Sequence, residues 1–177
     1  MTSIVLMMML FINPPVYKKH NVTRRILAIF GFMVIIFAYS CNTAALYEKN
    51  LHLESGIWNV ENKLSFVVNI QDSILPHDFY LNIRHNDDYE FSNLFIFIDT
   101  YYPTSEYTRD TIEILLADAS GKWYGEGFGD LKEIRVLLKK GVSFPSSGDY
   151  TFSFAQAMRT KDLNGIEDFG IRIEKTH

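Results

Sequence analysis

Three groups of residues in this chain have types and spacings suited to chemistry. The first is Cys41, the single cysteine among 177 residues. It stands directly behind Ser40 and the uncharged run Ile26 to Tyr39. A thiol placed behind a small residue at the end of an apolar run is positioned for acylation and for becoming a new N-terminus on cleavage. Without a second cysteine there is no disulfide framework and no cysteine-cluster zinc site. The second group is His85-Asn86-Asp87-Asp88-Tyr89, with His77 and Asp78 one strand length upstream. Imidazole and carboxylates close together can hold a metal or exchange protons. Asn-Asp-Asp is also ordinary turn chemistry, and no HExxH-like ligand spacing is present, so the turn reading is preferred and no metal is expected.

The third group is Gly121-Lys122-Trp123-Tyr124-Gly125-Glu126-Gly127-Phe128-Gly129-Asp130, in which four glycines alternate with aromatic and charged residues. Its GxGxG core lacks a following Lys-Ser/Thr and a surrounding βαβ unit, which excludes a phosphate cradle. One reading is a glycine-rich bend that lets Trp123 and Phe128 pack on neighbouring backbone. The other is an exposed aromatic loop that binds a glycan or a partner protein. Ser40, Ser55 and Ser65 sit in no GxSxG elbow, so nucleophilic catalysis has no candidate, and no cofactor is expected.

Charge divides the chain. It carries 17 basic and 21 acidic residues for a net charge of −4, which argues against a nucleic-acid partner. The first 40 residues contain Lys18, Lys19, Arg24 and Arg25 and no acid, so the part from Cys41 onward is strongly acidic. Basic residues, then a short apolar run, then a small residue before cysteine, is the order of an export signal. The run is too short for the roughly 20 apolar residues of a permanent span. Residues 1–40 therefore read as an N-terminal extension with a lipoprotein signal, and residues 41–177 as the exported domain. The competing reading is a buried free cysteine in an ordinary membrane anchor. Residues 1–17 fit the signal poorly, which suggests a later translation start, for example at Val22.

The elements that must position these residues are strands. Lys63–Ile70 places Leu64, Phe66, Val68 and Ile70 on one face. Asp78–His85 sets Phe79, Leu81 and Ile83 against Tyr80, Asn82 and Arg84. Asn93–Tyr101 is apolar on both faces and predicts a central strand. Tyr47–Leu53, Thr111–Leu116, Glu133–Leu138, Asp149–Phe154 and Phe169–Glu174 complete the series, with turn residues between them. About eight strands with hairpin-sized gaps predict an all-β antiparallel β-sandwich, with the jelly roll as one form of it.

With those blocks in view, the chain resembles the GldH family of gliding-motility lipoproteins of the Bacteroidetes. The likeness runs through Arg84-His85, Asn93-Leu94 and Leu116-Ala117-Asp118 into Gly121-Lys122-Trp123, then Gly125, Gly127, Gly129-Asp130 and Glu133. It continues through Phe144-Pro145, Gly148, Tyr150, Phe152, Gln156, Met158-Arg159 and the stretch Gly165 to Glu174. The resemblance implies an envelope lipoprotein of the gliding machinery, anchored to a bacterial membrane through acylated Cys41, with no catalytic residues to transfer. Cys41 is followed by Asn42-Thr43-Ala44-Ala45 rather than by acids, so an outer-membrane position facing the periplasm is expected. Docking to other gliding-machinery proteins is expected at Trp123, Tyr124, Glu126, Phe128 and Asp130 and at Asp87 and Asp88. The alternative is a glycan-binding envelope sandwich.

Overall fold

The computed structural model describes residues 45–176. The segment 1–40, expected to be an export signal, and Cys41, the expected lipidation residue, lie outside the described residues. Ten strands follow one another: β1 (Ala45–His52), β2 (Ile57–Asn59), β3 (Leu64–Ile70), β4 (His77–His85), β5 (Asn93–Tyr101), β6 (Tyr107–Leu115), β7 (Lys132–Val142), β8 (Gly148–Gln156), β9 (Asp162–Asn164) and β10 (Ile166–Lys175). A 3-10 turn at Glu54–Gly56 is the one helical element among the described residues.

The pairing is nested. β1 pairs with β10, β2 with β9, β3 with β8, β4 with β7 and β5 with β6, every pair antiparallel. The chain is thus one long hairpin whose apex is the turn closed by Tyr102 N–H donating to Glu106 O at 3.0 Å. Rolling that hairpin brings β10 beside β4 and β8 beside β5. Two four-stranded sheets result, in the orders β1-β10-β4-β7 and β3-β8-β5-β6, with β2-β9 as a small third ladder. This is the all-β antiparallel sandwich expected from the sequence, in its double-sheet jelly-roll form.

Alternation explains which faces meet. β3 is buried at Leu64, Phe66, Val68 and Ile70 and exposed between them. From the other sheet, Phe79 meets Phe152 edge-on at 5.0 Å. Phe169 packs against Phe154 at 5.1 Å and Trp58 at 4.9 Å. These ring contacts join the sheets, and each adds about 1 kcal/mol beyond simple burial. Trp58 and Tyr150 are fully buried but keep their polar ends satisfied: Trp58 Nε1–H donates to Asn62 O at 2.9 Å, and Tyr150 O–H to Ser146 O at 2.8 Å. β5 lies between β8 and β6, the internal position that its two-sided apolar pattern predicts.

Candidate functional site

The Asn86–Tyr89 turn and the Gly121–Asp130 loop are joined at one end of the sandwich through His85, the last residue of β4. His85 is fully buried, and its ring meets Trp123 edge-on at 4.5 Å and Tyr89 at 5.9 Å. Tyr89 also faces Trp123, at 6.4 Å, and its hydroxyl donates to Asn93 O at 2.7 Å. Burial lowers the His85 pKa and keeps the ring neutral. Nδ1 lies 3.3 Å from Asn86 O, and Nε2 has no hydrogen-bond partner among the described residues. His77 sits at the opposite end of the same strand, opposite Val142, whereas His85 stands opposite Lys132. The two imidazoles therefore share no site, and no group of metal-ligating side chains forms among the described residues.

Each segment is braced locally. In the turn, Asp88 N–H donates to Asn86 Oδ1 at 2.9 Å, and Asn86 Nδ2 reaches Glu167 Oε1 at 2.8 Å. Asp87 and Asp88 are left exposed. In the loop, Asp118 Oδ1 accepts from Ser120 N–H at 2.8 Å, Ser120 Oγ–H at 2.6 Å and Lys122 N–H at 3.0 Å. These bonds hold its carboxyl below the usual carboxylate pKa, with the Ser120 side chain the largest cause. Further on, Glu126 and Glu133 exchange backbone hydrogen bonds of 3.0 and 2.8 Å. Gly127 lies so close to the returning strand that a Cβ there would stand 2.0 Å from Leu131 O.

The glycines thus fold residues 124–133 into a narrow hairpin. Trp123 is half-buried against the core at its base. Tyr124 is 54% exposed and Phe128 98% exposed. Glu126 and Asp130 are exposed beside them. The two readings of this loop divide by residue: Trp123 packs, while Tyr124 and Phe128 are presented to solvent.

A polar network that the strand pattern alone does not reveal covers the outer face of the β1-β10-β4-β7 sheet. Glu48 of β1 accepts from Asn82 Nδ2 at 3.2 Å and Arg135 Nη2 at 2.7 Å, and it pairs with Arg172 Nη1. One carboxylate thus touches all four strands. Arg172 also binds Glu174, with Nε at 2.7 Å from Oε2. Toward the His85 end, Arg84 pairs with Asp168, and His52 Nδ1 lies 3.2 Å from the same carboxylate. Asn50, Asn82, Arg84, Glu133 and Asp168 line a shallow depression of about 150 Å³ there. The outward positions Tyr80, Asn82 and Arg84 were legible from alternation, but their partners depend on cross-strand register. A larger groove of about 490 Å³ and mixed polarity opens between the sheets, lined by Phe79, Ile112, Leu138 and Phe152 and also by Asp110 and Lys139 among others.

A family model described as GldH lipoprotein matches residues 45–173. A protein of Christiangramia forsetii, named gliding motility lipoprotein GldH homolog, is 36% identical over 155 residues, covering 84% of this chain and 94% of that protein. The gliding motility lipoprotein GldH of Flavobacterium johnsoniae is 29% identical over 150 residues, covering 81% and 92%. Among solved structures, an uncharacterized protein of Listeria monocytogenes is 13% identical with a TM-score of 0.36, covering 77% of this chain and 11% of that one. The family match runs from the start of β1 into β10 and covers most of the chain, and on that ground this protein belongs to the GldH lipoprotein family.

Proposed function

We propose that this protein is a lipid-anchored envelope component of a gliding apparatus that acts by docking other envelope proteins rather than by catalysis. The observation that carries the reading is the 36% identity, over 84% of the chain, to a relative named as a gliding motility lipoprotein. In this reading residues 1–40 are the export signal, residues 41–177 are the mature domain, and acyl chains on Cys41 hold it to the outer membrane, facing the periplasm. More than one acyl chain is needed for stable anchoring.

The docking surface is the His85 end of the sandwich. Tyr124 and Phe128 stand out on a braced hairpin, with the acids Asp87, Asp88, Glu126 and Asp130 around them. Large aromatics on a rigid support lose little entropy on binding and suit an anchor in a partner's pocket. Trp123 holds the platform from beneath.

The test is complementation of a deletion strain, scoring colony spreading at matched protein abundance. Wild type is expected to restore spreading and Cys41→Ala to fail. A Tyr124→Ala/Phe128→Ala chain is expected to accumulate normally, spread poorly and recover fewer envelope partners. Spreading unaffected by the deletion would refute the motility role. Full rescue by Cys41→Ala would refute the anchor, and full rescue by the double variant would refute the docking surface.

A further inference from the structure

β6 is the outer strand of its sheet and, among the described residues, pairs only with β5. Its ladder runs from Asn93–Leu115 to Tyr101–Tyr107 without a register shift. The bonds from Tyr102 N–H to Glu106 O and from Leu116 N–H to Ser92 O set its phase: even-numbered residues turn their peptide groups toward β5. Those of Tyr107, Arg109, Thr111, Glu113 and Leu115 therefore point out of the sheet edge. Natural edge strands are usually blunted against such pairing. β7, the corresponding edge of the other sheet, has two register shifts around Phe79 and a left-handed Gly141 at φ 65°. β6 has no shift and no proline.

We propose that β6 pairs antiparallel with β6 of a second copy of this chain, about a twofold axis through Thr111, joining two four-stranded sheets into one. The strand is complementary to itself in that register. Arg109 comes opposite Glu113 of the other copy, and Tyr107 opposite Leu115, on the outward face, and the symmetry makes each contact twice. Tyr107 and Leu115 are 49% and 57% exposed in the single chain, and pairing covers both. Arg109 is already set in place by Asp99, which takes Nε at 2.5 Å and Nη2 at 2.7 Å. Its guanidinium carbon stands 5.5 Å over the Phe97 ring, and Glu113 accepts from Asn93 Nδ2 at 2.6 Å, so both charged side chains are held on the outward face of the strand. A slip of two residues either way sets Arg109 against Thr111 or Leu115 and loses both matches. The charges thus select one register, and the occupant they fit is this strand itself.

The experiment uses the full chain in its own envelope, carrying Thr111→Cys. At a hydrogen-bonded antiparallel pair the two Cα atoms lie about 5.5 Å apart, within disulfide range. Mild oxidation is expected to give a cross-linked homodimer about tenfold above two backgrounds: the parent chain, whose one cysteine is Cys41, and Val67→Cys on the opposite edge. Adding Glu113→Arg puts two like-charged pairs across the axis and is expected to lower that yield about tenfold. Thr111→Pro removes an outward N–H and no bond to β5, a change that edge strands tolerate, and is expected to abolish co-purification of differently tagged copies while the fold persists. Absence of homodimer from a Thr111→Cys thiol that maleimide still labels would overturn the proposal. Cross-linking to a different protein would do the same, as would co-purification that survives Thr111→Pro.

Discussion

At the scale of single residues, burial and charge make firm demands at three positions. Glu48 is a carboxylate of β1 that reaches β10, β4 and β7. Glu48→Gln keeps the shape and removes the charge, and it is expected to lower stability by about 1–2 kcal/mol, read from the urea midpoint. Asp99 is 2% exposed and held by Arg109 first of all and then by Tyr107 and Lys63, which lowers its pKa from 3.8 to about 2. A carboxylate depressed on folding stabilises fully above its unfolded pKa and loses that contribution as pH falls through the folded value. Stability is therefore expected to decline from pH 4 toward pH 2, and Asp99→Asn to be less stable at pH 7 with a flatter acid limb. His85 runs in the same direction at higher pH: burial lowers its pKa, so the neutral ring's contribution is present above the unfolded value of 6.5 and lost below it. His85→Phe, which keeps the ring against Trp123, is expected to reduce the loss of stability measured below pH 6.

At the scale of elements, the hairpin of residues 124–133 shows how glycine decides what a loop presents. A Cβ on Gly127 would stand 2.0 Å from Leu131 O, so Gly127→Ala must push the two arms apart. The expected result is a loss of about 1–3 kcal/mol, with faster amide exchange confined to this hairpin. Gly165 is constrained twice, by φ 85° and by Tyr89 N, which a Cβ would approach to 2.3 Å. Gly165→Ala is expected to be the more damaging change, because it loosens the Tyr89 turn beneath Trp123 as well. The strands themselves were largely legible. Period-two alternation marked β3 and β4, and a two-sided apolar run marked β5 as internal. β6 extends four residues further toward the N-terminus than its apolar pattern, because Tyr107-Thr108-Arg109-Asp110 lies on an exposed edge and needs no buried face. β2 and β9 were missed altogether, since three residues carry no measurable period and only their mutual pairing makes them strands.

At the scale of the whole molecule, stability and the proposed docking role are expected to separate at the His85 end. Trp123→Ala is expected to cost about 2–3 kcal/mol in thermal or urea unfolding, because it opens a gap against His85 and Tyr89. Phe128→Ala is expected to leave the unfolding midpoint within about 0.5 kcal/mol, since a side chain 98% exposed has almost no packing to lose. Its effect should be read instead in partner recovery. The same contrast marks the division between chain and fold. Composition and alternation by themselves determined an all-β domain behind a basic, apolar front, because the period of two and the change of charge are local properties of the chain. The order of its separated motif blocks also determined the family resemblance. Only the tertiary structure decided that Trp123 is packed while Tyr124 and Phe128 are presented, that His77 and His85 stand at opposite ends of one strand, and that Glu48 reaches three other strands. Those outcomes depend on which strands lie side by side and in what register. In a nested hairpin β1 and β10, which pair with each other, lie more than one hundred residues apart, beyond the reach of any local pattern.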